Sequence, residues 1–92
     1  MKSFIAVSYA PDVGQQNYLI SMEEDVLHET EHMTLEEVMA RAIMNSHYNP
    51  QRRDVVRIQV RLGITILSAY EVSDEFVEKY GERYPQITFD GD

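Results

Sequence analysis

Between residues 56 and 62 the apolar side chains Val56, Ile58, Val60 and Leu62 alternate with Arg57, Gln59 and Arg61. Successive side chains of an extended chain point to opposite faces, so this alternation predicts a strand with one buried and one wet face. A half-buried strand needs a sheet, and the sheet needs a layer over its apolar side. With 92 residues there is no room for a second independent core, so residues 1–92 are expected to form a single domain around that sheet.

Other segments supply the partners. Phe4, Ala6 and Ser8 alternate with Ile5, Val7 and Tyr9 in a β-favouring run that ends at Pro11-Asp12-Val13-Gly14, a turn sequence. Residues 18–22 form a second short apolar run. Glu23-Glu24-Asp25 then reads as a turn before Val26-Leu27, a candidate third strand of a meander. Thr34 precedes Leu35-Glu36-Glu37-Val38, the pattern of a capping box, in which a threonine hydroxyl and a glutamate carboxylate serve amides that the first helical turn leaves unpaired. Leu35, Val38, Met39 and Ala42 follow at helical spacing, and Glu37 and Arg41 are placed to pair on the wet side. Asn49-Pro50 forbids simple continuation, so the helix should fade near residues 45–48.

Gly63 interrupts the alternating strand, and the β-favouring composition of residues 64–72 predicts a further strand after it. Ser73 caps a short helix with Asp74 and Glu75 in its first turn, Phe76, Val77 and Tyr80 inward and Gly81 just past its end. Residues 84–89 add an edge strand, and residues 90–92 are expected to fray. The expected fold class is α+β: an antiparallel sheet of about four or five strands with two helices packed on one face, in the order β-β-(β)-α-β-β-α.

Sixteen Asp and Glu oppose eight Lys and Arg, a net charge of −8. Lys2 and Arg41 are the only Lys or Arg in residues 1–50, whereas Arg52, Arg53, Arg57 and Arg61 crowd the next segment. A field of this sign repels phosphate backbones, disfavours direct nucleic-acid contact and favours basic partners. The sequence has no cysteine, which removes thiolate nucleophiles, thiolate zinc sites and disulfides and fits a reducing cytoplasm. The start lacks the apolar block of a signal peptide, and no apolar run approaches the ~18 residues of a membrane span, so a soluble, cytoplasmic protein with no membrane partner is expected.

His28-Glu29-Thr30-Glu31-His32 matches the HExxH pattern, in which two histidines one helical turn apart hold zinc and the glutamate acts as general base. The geometry needs a helix, because four residues span about 6 Å along one but about 13 Å along a strand. The cap at Thr34 starts a helix two residues later, so this segment reads as the end of a strand. A small zinc-dependent hydrolase using His28, Glu29 and His32 is therefore the alternative reading, and the leading one assigns no metal, cofactor or catalytic residue. Phosphate-binding glycine loops and a GxSxG elbow are absent from the sequence.

Glu23, Glu24, Asp25, Glu29, Glu31, Glu36 and Glu37 form an acidic cluster able to mimic a row of phosphates and occupy a basic, nucleic-acid-binding surface on a larger protein. Arg53, Arg57 and Arg61, spaced along one strand face, are a secondary basic contact. The sequence thus reads as a small acidic non-enzymatic protein-binding module, an inhibitor or regulator. A structural subunit that forms a homodimer through an edge strand is a further alternative.

Overall fold

Phe4, Ile5 and Ala6 are consecutive in the chain and all buried. Neighbouring side chains of a strand point to opposite faces, so such a run withdraws from water only in a sheet covered on both sides. The computed structural model, which describes residues 1–11, 14–46 and 64–89, has this arrangement. Strand β1 (Lys2–Ala10) forms a hairpin with β2 (Gly14–Met22), in register from Lys2 opposite Met22 to Ala10 opposite Gly14. Gly14 opens β2 at φ +75°, a conformation that side chains with a Cβ seldom adopt.

Helix α1 (Glu24–Glu29) and helix α2 (Leu35–Ser46) follow, then β3 (Thr65–Val72), helix α3 (Asp74–Tyr80), a 3₁₀ turn (Gly81–Arg83) and β4 (Gln86–Phe89). The strand order is β3-β1-β2-β4. β1 is antiparallel to β2 and to β3, whereas β4 runs parallel to β2. The sheet is therefore mixed, which corrects the expectation of a purely antiparallel one. The cause lies in the connections. β2, β3 and β4 all run one way, and strands that run one way must be joined by crossovers, here α1 and α2 between β2 and β3, and α3 between β3 and β4.

The two crossovers cover opposite faces. Phe4, Ala6, Tyr18, Ile20, Met22, Ile87 and Phe89 from the sheet pack with Val26 of α1 and Val38, Met39, Ala42 and Ile43 of α2. On the other face Ile5 and Leu19 are cross-strand partners and both buried. The chain around α3 approaches them there: a Cβ on Gly81 would lie 3.4 Å from Leu19 Cδ2 and Val77 Cγ1. The two helices expected on one face thus lie on opposite ones, and a third, α1, joins α2 where Val26-Leu27 was expected to be a strand. Glu24 and Asp25 in the first turn of α1 favour a helix over the turn they were expected to form, because carboxylates complement a helix N-terminus.

Both expected hydroxyl caps are present, whereas the returning bond from the Glu37 carboxylate to the Thr34 amide does not form, so the capping box is half made. Thr34 Oγ1 accepts from the Glu37 amide at 3.2 Å, and Ser73 Oγ from the Phe76 amide at 3.1 Å. Tyr80, however, turns outward at 38% exposure, its ring 5.2 Å from that of Phe76 and beneath the Arg83 guanidinium. One irregularity marks β3: Val7 faces Ser68 but Ser8 faces Ile66, so Leu67 is an extra residue, 55% exposed. The strand expected over residues 56–62, the helix end near residue 48 and the frayed residues 90–92 lie outside the described residues. Among the described residues no helix is long and apolar enough to cross a membrane.

Two outcomes are expected. Replacing Ile20, fully buried between β1 and β4, with alanine should lower the unfolding free energy by about 2–5 kcal/mol in urea titrations. Burial pushes the Tyr18 hydroxyl above its ordinary pKa of 10.0. The folded chain then holds that proton more tightly than the unfolded one, so the stability is complete below about pH 10 and declines as pH rises through the folded value. Urea midpoints between about pH 8 and 11 should fall more steeply in the wild type than in Tyr18→Phe.

Candidate functional site

The acidic cluster is assembled by a turn between two helices. α1 ends at Thr30, which is buried, donates its hydroxyl to the Val26 carbonyl at 2.8 Å and makes a second, longer contact with that of Leu27 at 3.3 Å. Its amide donates to the same Val26 oxygen, and the Met33 amide returns to the Thr30 carbonyl at 2.9 Å. These bonds satisfy the last carbonyls of α1 and fold the chain back sharply enough for Thr34 to cap α2. The apolar sides of α1 and α2 are committed to the core, which leaves the acids to the outer surface.

All seven acids named from the sequence are exposed. Glu23, Glu24 and Asp25 occupy the start of α1, Glu29 its last residue, Glu31 the turn, and Glu36 and Glu37 the first turn of α2. Among the described residues none of the seven has a Lys or Arg within ion-pair distance; the one contact of that kind is Glu31 with His28 Nδ1 at 3.4 Å, a pair charged on both sides only when the histidine is protonated. The expected pair of Glu37 with Arg41 does not form. Arg41 instead reaches the Met33 sulfur at 3.9 Å, because the turn brings Met33 onto its side of α2. Glu37 is left unneutralised. Lys2, the other cation of the first fifty residues, bonds Glu71 on β3 at 3.4 Å.

The HExxH segment was expected to end a strand; it ends a helix. That helix stops between the two histidines: His28 lies in its last turn, while His32 lies beyond the Thr30 cap. They do not share one helical face, and Thr30, at the centre of the motif, is a buried staple of the turn. Among the described residues no three His, Asp or Glu side chains converge to hold a metal ion. Arg53, Arg57 and Arg61 lie outside the described residues.

Sequence reasoning missed Thr30 because it treated residues 26–32 as extended. The available signal was three acids directly before Val26 and Leu27, with Thr30 four residues after Val26, a helical rather than a strand spacing. Comparison with protein families, with curated proteins and with solved structures finds no match.

Because the seven acids touch water rather than the core, their removal should leave the fold intact. Converting Glu24, Glu29, Glu36 and Glu37 together to glutamine should change the unfolding free energy by less than about 1 kcal/mol. Thr30→Val, which keeps the shape but loses the buried hydroxyl bond, should cost about 1 kcal/mol by itself. Urea unfolding of both variants checks the contrast.

Proposed function

We propose that this chain is a small acidic binding module, an inhibitor or regulator that acts by contact and has no active site of its own. Its binding surface is the ridge formed by α1, the Thr30 turn and the start of α2. The observation that carries this reading is the exposure of all seven carboxylates with no Lys or Arg counter-ion among the described residues.

Such a ridge accepts a basic surface on a larger protein. Unneutralised carboxylates on a rigid support steer a cationic partner into place, and each can accept hydrogen bonds from arginine or lysine. A surface built to bind nucleic acid has the complementary sign and spacing, so the ridge would compete there as a substitute for phosphates. The absence of cysteine suits work in a reducing cytoplasm.

The test is capture of partners from the native host, followed by affinity measurements on the captured protein between about 50 and 500 mM salt. The expected partner is basic at its contact surface, and its affinity falls at least about tenfold over that range and again on converting Glu24, Glu36 and Glu37 to glutamine. An affinity indifferent to both salt and these substitutions would remove the reading.

A further inference from the structure

The sheet face opposite α1 and α2 carries a second feature, a hollow of about 410 Å³ between α3 and strands β1, β2 and β4. Its floor is a row of hydroxyls. Ser3 is the register partner of Ser21, and Ser21 that of Thr88, so three adjacent strands project three hydroxyls from one face. Its wall is α3, where Asp74 and Glu78, four residues apart, bring two carboxylates to the hollow with Val77 beside them. Gln86 completes the lining. Its amide nitrogen donates to the Gly81 carbonyl at 3.0 Å, which fixes the group and leaves the amide oxygen as an acceptor.

This lining is unbalanced in favour of acceptors. Ser3, 6% exposed, shares a 3.1 Å hydrogen bond with Ser21. That bond uses one lone pair of the two oxygens and leaves the others available. To these are added the Thr88 hydroxyl, the Gln86 amide oxygen and the two carboxylates; no Lys or Arg lines the hollow, and its one cationic group is the α-ammonium of the lining residue Met1. The volume lies in the range of small-ligand clefts, roughly 300–1,000 Å³. Two carboxylates outnumber that one ammonium, so a cation is favoured over an anion, and a neutral polyol makes no use of the excess charge.

We propose that this hollow binds an alkylguanidinium group. A guanidinium carries N–H donors on several edges of one plane, so it can meet the carboxylates of the wall and the oxygens of the floor together. An ammonium ion of equal charge is a compact point that holds its water more strongly. The alkyl stem would run past Val77, an apolar part of the lining. The same chemistry is offered by a free alkylguanidine or by an arginine side chain of a partner protein. Because the hollow and the acidic ridge lie on opposite faces of the sheet, this site stands or falls independently of the proposed partner surface.

Titration of the isotope-labelled full chain by NMR tests the site, with n-butylguanidine, n-butylamine and the peptide acetyl-Gly-Arg-Gly-amide as probes. The expected result is saturable amide shifts concentrated at Ser3, Ser21, Val77 and Thr88, with the amine at least about tenfold weaker than the guanidine. The double variant Asp74→Asn/Glu78→Gln should weaken binding at least about tenfold and Ser21→Ala about threefold, whereas neutralising Glu24, Glu36 and Glu37 should change nothing. Asp74 and Glu78 are exposed, and a dispersed amide spectrum confirms that the variant folds. Saturation by butylguanidine supports a free ligand; saturation by the peptide alone supports an arginine side chain. If neither saturates, if shifts follow exposed carboxylates over the whole surface, or if the double variant binds like the wild type, the proposal is overturned.

Discussion

Phe4, Ile5 and Ala6 leave water together only because the sheet has a layer on each side, and both layers come from chain that had to cross the sheet anyway. β2, β3 and β4 run in one direction around the antiparallel β1. No tight turn can join strands of that kind, so each connection climbs over a face. The first carries α1 and α2 and buries the large apolar cluster. The second carries α3 and the Gly81 turn, which approaches Leu19, the cross-strand partner of Ile5. The acidic ridge belongs to the first crossover, and Asp74 and Glu78 belong to the second.

Much of this was legible in the residues. Thr34 and Ser73 announced their helices because a hydroxyl before an acid-rich first turn has a specific task, accepting an orphan amide, and both perform it. The hairpin of β1 and β2 was legible from turn chemistry. What was misread was the meaning of unbroken apolarity. Phe4-Ile5-Ala6 and Tyr18-Leu19-Ile20 have no polar face at all, which is the mark of strands covered twice, and it implied a helix on each side. The parallel pairing of β4 with β2 has no local signal; it depends on where the chain lands after α3, a long-range fact.

The acidic surface was legible in composition but not in shape. Seven acids between positions 23 and 37 could have been strung along a strand, alternating between faces. Instead Thr30 stops one helix and positions the next, so that the seven carboxylates lie exposed along two helices and the turn between them, with the inner sides of the helices committed to the core. The Asp74 and Glu78 pair was equally readable, since four residues on a capped helix place two side chains on one face. Its hydroxyl counterparts were not, because Ser3, Ser21 and Thr88 are far apart in the chain and meet only through strand register.

The extra residue in β3 has a bearing on how this protein can diverge. Leu67 shifts the strand by one position, and only with that shift do Ile66 and Ala69 both turn toward the helices. Loss of Leu67 alone would place Ile66 directly before Ser68, so ordinary alternation would keep Ile66 opposite Ser8 and turned toward the helices without the irregularity. Descendants of this sequence can therefore shorten β3 by that one residue and still keep Ile66 and Ala69 on its inner face.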